Sequence, residues 1–227
     1  MTKTIVLNSG GLDSATTMAV AKNQGYDLYS LTLDYGQKHK AELRAAEQLA
    51  KVNNAVNHRL VDITSLSSFM RSALTDSKID VPDYSGKSGI PVTYVPARNT
   101  IFLSVALGYA ETLEADSIFV GCNNADYTGY PDCRADYLEA FQTMANFALK
   151  RGRENSPVHI QAPLVNLNKQ EIIELGTRLQ VDYSFTVSCY RADDAGRACG
   201  SCDACTYRKE GFNKVGIKDP TRYVQTT

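Results

Sequence analysis

The chain has no excess of positive charge: 24 lysines and arginines stand against 25 aspartates and glutamates, for a formal charge of -1 over 227 residues. That balance supplies no global field to collect phosphodiester backbones, so nucleic acid is not the expected partner, and only a local patch would oppose this reading. Long hydrophobic runs are missing as well. The longest apolar stretches, such as 101–110, are too short and too interrupted to span a bilayer, and the N-terminus shows no apolar leader, so a cytoplasmic protein with no membrane partner is expected. There is no internal repeat and no low-complexity tract. With 43% hydrophobic content the chain can bury a full core, and a single domain over 1–227 is the expectation.

What is present alternates. The run Thr4-Ile5-Val6-Leu7 is rich in β-branched residues and reads as a short buried strand, with a helix after it. Residues 26–35 and 57–63 predict two further strands with a helix over 38–53 between them. Beyond them come a helix over 98–113, a strand over 117–121, a helix over 132–150, a short strand over 159–162 and a helix over 168–179. This order predicts an α/β fold: a doubly wound, mostly parallel sheet with helices on both faces. Residues 76–92, rich in Ser, Asp, Gly and Pro, lack either periodicity and read as a mobile excursion with the option of acting as a lid.

The junction after the first strand is SGGLDS, Ser9 to Ser14. Gly10 and Gly11 are able to take positive φ and admit a ligand closely, and the helix N-terminus behind them attracts an anion, phosphate above all. Ser9 and Ser14 add hydroxyls, and Asp13 is placed to cap the helix or to orient a cation beside the phosphates. Neither the GxxxxGK[ST] nor the GxGxxG spacing is present. A plain capped glycine turn is the alternative.

The other concentration of chemistry is Cys189, Cys199, Cys202 and Cys205, spaced C-x9-C-x2-C-x2-C. Two tight CxxC steps bring thiolates onto one ion, and four sulfurs suit tetrahedral zinc in a closed, structural site. An iron–sulfur cluster competes, although the fourth cysteine precedes the triplet and no Cys-Pro follows. No HxE motif accompanies the array, against a zinc deaminase. Cys122 and Cys133 read as buried thiols.

SGGLDS resembles the pyrophosphate-binding motif of the PP-loop ATP pyrophosphatases. The stretches LDYGQKHKAEL (33–43), YVPARNTIFLSVAL (94–107), VGCNNADYTGYPDCR (120–134) and SCY...CGSCDAC follow in order, and together the segments resemble the QueC family of the queuosine precursor pathway over nearly the whole chain. The resemblance implies a PP-loop, adenine nucleotide α-hydrolase-like fold with a C-terminal zinc-bound helical excursion over 185–215. It implies a ligase that turns 7-carboxy-7-deazaguanine, ammonia and ATP into the 7-cyano product through an adenylate, with Mg2+ accompanying ATP, one structural Zn2+ on the four cysteines, and a homodimer. One departure is Ala97, where many relatives have glycine.

Roles follow as expectations. Residues Leu7, Asn8, Ser9, Gly10, Gly11, Leu12, Asp13, Ser14, Ala15, Thr16, Thr17 and Met18 frame the nucleotide. Asp13, Arg98 and Lys169 are the catalytic candidates, the two cations neutralising the phosphates. A solvated residue in a helix first turn is the rival reading of Lys169. Asp126 and Asp132 are candidates for the guanine-like edge of the substrate, with Tyr127 and Tyr130 to stack on its rings; turn-forming Asp and core Tyr are their rivals. His39, between two lysines, reads as exposed or as an acid or base, and His58 and His159 carry no signal. Two other functions compete with the ligase: a PP-loop enzyme that modifies tRNA, and a non-catalytic module that senses nucleotide.

Overall fold

The structure is a computed structural model and describes residues 2–86, 89–123 and 129–224. β1 (Lys3–Leu7) is buried on both faces, as its unbroken aliphatic run requires of a central parallel strand. Four more strands run parallel to it: β2 (Asp27–Asp34), β3 (Asn57–Asp62), β4 (Ser117–Phe119) and β5 (His159–Gln161). Their order is β3-β2-β1-β4-β5, with Thr4 opposite both Leu28 and Ser117. The chain therefore starts in the middle, winds to one edge, then crosses back to fill the other half, which makes the gap between β1 and β4 the topological switch point.

Seven helices complete the described fold: α1 (Leu12–Asn23), α2 (Ala41–Val52), α3 (Arg98–Leu113), α4 (Ala135–Ala148), α5 (Lys150–Arg153), α6 (Lys169–Arg178) and α7 (Asp203–Val215). Ile5, Leu7, Leu31, Leu33 and Ile118 turn to one side of the sheet and pack with Leu103, Ala106 and Leu107 of α3 and Leu138 and Phe141 of α4. Val6, Leu28 and Phe119 turn to the other and meet Met18 and Ala21 of α1. Alternate residues of each strand thus bury against opposite helical layers.

The departures from expectation have local causes. The helix expected over 38–53 begins at Ala41, because 35–40 is spent on a loop into the site, with Gly36 at φ 84°. The helix expected over 132–150 is cut at both ends: Pro131–Cys133 forms a 3-10 turn, and Leu149 is extended at φ -89°, ψ 145°. Residues 76–86, expected to be mobile, are instead anchored. Val81 is buried among Met70, Leu74, Cys189 and Cys202, the Tyr84 amide donates to the Ser201 carbonyl at 2.8 Å, and Arg191 pairs with Asp83.

Candidate functional site

The loop from β1 to α1 is built around one buried amide. Asn8 donates through Nδ2 to the Ala46 carbonyl at 2.8 Å and to Ser30 Oγ at 3.1 Å, while its Oδ1 accepts from the Gly10 amide at 3.1 Å. Its backbone carbonyl accepts from Thr32 Oγ1 at 2.6 Å. The loop is thereby tied to β2 and α2 before any ligand arrives. Gly10 takes φ +79°, and a Cβ there would lie 2.1 Å from the Glu42 carbonyl, so this glycine exists to let α2 approach. Gly11 does not share the expected positive φ: it is extended at φ -87°, ψ 172° and precedes α1 without any side-chain cap. The first-turn amides of α1 have no carbonyl partner within the helix. That of Leu12 donates to Ser188 Oγ at 3.2 Å, and those of Asp13 and Ser14, at the positive end of the helix dipole, favour an anion.

Beyond this loop lies a cavity of about 210 Å³, walled by the cradle, the ends of β2 and β4, and residues Gln37, Glu42, Arg98, Tyr130, Lys169 and Tyr190. Lys169 is buried, not solvated. Its ammonium donates to both carboxylate oxygens of Asp13, at 2.7 and 2.9 Å, and its stem crosses Gly211, where a Cβ would fall 2.7 Å from Lys169 Cγ. Asn168 and Glu171 close a capping box that fixes the start of α6 beneath it. Asp13 was expected to cap the helix or to orient a cation beside the phosphates, and the group it meets here is this ammonium, because a buried charge demands a partner.

Arg98 opens α3 and reaches over the Tyr35 ring, 5.7 Å from its centroid. Burial alone would ease deprotonation of the guanidinium, yet Tyr35, Tyr130 and Cys133 around it outweigh that and hold it charged. Ala97, which precedes Arg98, sits at φ 54°, ψ 21°, the left-handed region in which glycine carries no Cβ penalty. Burial also drives Tyr35 and Tyr130 above the ordinary phenol value. Glu42 shows a large shift: its carboxyl is pushed up to about 7 by burial, with Arg98 and Gln37 only partly opposing the rise.

Of the residues expected to frame the nucleotide, Leu7, Asn8, Ser9, Gly11, Leu12, Asp13 and Ser14 line the cavity. Gly10 is covered by α2, and Ala15, Thr16, Thr17 and Met18 are buried in α1. Tyr130 is on the wall, hydrogen-bonded to Thr93 at 2.8 Å. Asp132 is turned away: its carboxylate accepts from the Asn99 amide at 2.9 Å and caps α3. Asp126 and Tyr127 lie outside the described residues. His39, expected to be exposed, has a side chain only 12% exposed and stands 4.0 Å from Glu42. Burial, ahead of every other cause, lowers its pKa. Glu42, Gln37, Ser188 and Arg208 were missed; a glutamate in the first turn of a helix reads as mere dipole complement.

The four cysteines converge as their spacing requires. Their sulfurs all lie within 4.8 Å of one another, with 4.0 Å between Cys189 and Cys202 and 3.9 Å between Cys199 and Cys205. A tetrahedral ion with bonds of about 2.3 Å places its sulfurs about 3.8 Å apart. The Arg191 and Cys199 amides donate to Cys189 Sγ, each at 3.2 Å. This group can hold a metal ion. Next to Cys189, Ser188 takes the Leu12 amide and receives Arg208 at 3.4 Å, and the Val187 amide donates to the Gly10 carbonyl at 2.9 Å. The four-cysteine segment is therefore hydrogen-bonded directly to the β1–α1 loop.

Comparison with known proteins agrees with this geometry. Residues 3–216 match the family model described as queuosine biosynthesis protein QueC. The chain is 57% identical over 221 residues to 7-cyano-7-deazaguanine synthase of Cellvibrio japonicus, covering 97% of each. It is 58% identical over 224 residues to the enzyme of that name from Methylobacillus flagellatus, covering 99% of this chain and 97% of that one. Among solved structures, NMN synthetase from Francisella tularensis superposes with a TM-score of 0.51 at 21% identity, over 96% of this chain and 78% of that one. The last likeness speaks to the fold alone.

Proposed function

The chain belongs to the QueC family of queuosine biosynthesis proteins, and on that premise we propose that it is the ATP-dependent ligase making 7-cyano-7-deazaguanine from 7-carboxy-7-deazaguanine and ammonia. Relatives that carry this enzyme's name match over nearly their full length. The observation that carries the site assignment is the convergence of the α1 N-terminus, the Lys169–Asp13 pair and Arg98 on one cavity at the switch point.

In this reading the amides of Asp13 and Ser14 and the hydroxyls of Ser9 and Ser14 receive the ATP phosphates. Lys169, aligned by Asp13, neutralises the charge that grows on the departing pyrophosphate. Arg98 holds the substrate acid. A carboxylate oxygen attacks the α-phosphorus and pyrophosphate leaves; ammonia then attacks the acyl carbon and AMP departs with that oxygen, giving the amide. Activation of the amide oxygen in the same way, with loss of one nitrogen-bound proton, gives the adenylated imidate, and departure of AMP with loss of the second gives the nitrile. Tyr130 offers a ring face to the bicyclic substrate, and Mg2+ arrives with ATP.

The metal is zinc, held by Cys189, Cys199, Cys202 and Cys205. A cluster would interpose several iron atoms and spread the sulfurs beyond the spacing of a single ion. Four thiolates leave no open position, so the ion contributes folding free energy to a segment that braces the cradle. Residues 1–227 act as one domain, assembled as a homodimer, in the cytoplasm. Purified protein given the acid, ammonium and Mg-ATP is expected to release AMP and pyrophosphate and to form the nitrile; unchanged substrate mass with no AMP overturns the assignment.

A further inference from the structure

The chemistry just described releases a proton from nitrogen three times, once as ammonia adds, once as the amide oxygen is adenylated and once as the nitrile forms, and neither Lys169 nor Arg98 is a base for it. Two carboxylates line the cavity among the described residues, Asp13 and Glu42. Both oxygens of Asp13 are held by Lys169. Glu42 is different. No lysine or arginine forms an ion pair with it among the described residues, and the nearest charge-bearing ring, His39, stands 4.0 Å away.

Its position suits the need. The Glu42 backbone lies against Gly10 of the cradle, and its side chain, 21% exposed, meets the field of Arg98 from α3 and the amide of Gln37 from the loop after β2. It therefore stands between the loop proposed to receive the phosphates and the arginine proposed to hold the substrate acid. Lys40, Asp34 and Tyr35 complete the titratable groups around it.

We propose that Glu42 is the general base of the nitrogen steps. In amide formation its carboxylate accepts a proton from the attacking ammonia as the C–N bond forms and the bond from carbon to the AMP oxygen breaks. In nitrile formation it accepts one N–H proton as the amide oxygen is adenylated, which leaves a neutral imidate, and the last N–H proton as the second such bond breaks, the electron pair left on nitrogen completing the triple bond. Each proton passes to solvent before the next step. Burial sets this carboxyl at about 7, so it is largely ionised at slightly alkaline pH and basic enough to be useful there.

This inference rests on the ligase reading, and one set of assays separates the two. Acid-dependent exchange of labelled pyrophosphate into ATP reports adenylation without ammonia. Its absence in the unaltered chain defeats the ligase reading itself. In Glu42→Gln, exchange is expected to stay within about threefold while ammonia-dependent product falls by about 100-fold or more, and the rise in rate through pH 7, measured at constant free ammonia, is expected to vanish. Glu42→Asp is expected to keep that pH limb at a reduced rate. Equal loss of exchange and product in a Glu42→Gln chain that melts no lower than the unaltered one, or a pH limb that survives in that variant at constant free ammonia, overturns the role of Glu42.

Discussion

Two adjacent glycines, Gly10 and Gly11, do different work, and substitution separates them. Alanine at position 10 forces an L-residue to φ +79° against the Glu42 carbonyl at 2.1 Å, and is expected to cost more than about 2 kcal/mol in unfolding free energy. Alanine at position 11 meets nothing nearer than 3.5 Å, so thermal unfolding is expected within about 2 °C of the unaltered chain, while the new methyl obstructs the cavity and raises the KM for ATP. Equal melting of the two variants contradicts this division. Ala97→Gly relieves a left-handed alanine at φ 54° and is expected to raise stability by about 1 kcal/mol, or about 2–4 °C in Tm. Glu42→Gln carries a sign that can be worked out. A carboxyl whose folded value is raised to about 7 binds its proton more tightly folded than unfolded, so stability declines as pH climbs from the unfolded value toward 7 and stays low above it. The glutamine variant escapes that decline, and at pH 8 it is expected to exceed the unaltered chain by roughly 3 kcal/mol in denaturant unfolding, a gap that closes below pH 5.

At the level of elements, the metal segment is a brace. Cys189 is preceded by Val187 and Ser188, which bond to Gly10 and Leu12 of the cradle, and α7 starts from Cys202 and presents Arg208 to Ser188 and Asp219. Metal removal by a chelator, or Cys202→Ser, is therefore expected to lower the melting temperature and to weaken ATP binding together, measured by calorimetry on the same samples. Unchanged nucleotide affinity in metal-free protein contradicts the coupling. Colourless protein with one zinc per chain is the expected composition, and a brown preparation with iron and sulfide is the contrary result. Which elements were legible in sequence follows from the same physics. β1, β2 and β4 announce themselves because central strands need buried runs, and most helices because they need an apolar face, while β3 and β5, mostly exposed at the edges, follow from the alternation of elements. The interruption near Leu149 and the anchoring of 76–86 were not legible, since each depends on contacts between segments far apart in the chain, such as Tyr84 with Ser201.

Over the whole molecule, the topology decides where chemistry happens. The order β3-β2-β1-β4-β5 leaves one switch point, and the cradle, Lys169 from α6, Arg98 from α3 and Glu42 from α2 all converge there. Motif residues such as Ser9 to Ser14 and the four cysteines were readable because their spacing is local. Glu42, Gln37 and Ser188 were not, because a lone polar residue shows its role only once the fold has buried it beside a partner. Asp132 looked like a substrate ligand for the converse reason: nothing in the sequence shows that it caps α3. The central claim, that this cavity transfers AMP to oxygens of the substrate acid, is tested most directly by oxygen-18. With the label in the carboxylate of 7-carboxy-7-deazaguanine and unlabelled water, the account predicts that the AMP released carries oxygen-18; label appearing in water or phosphate with unlabelled AMP would contradict it.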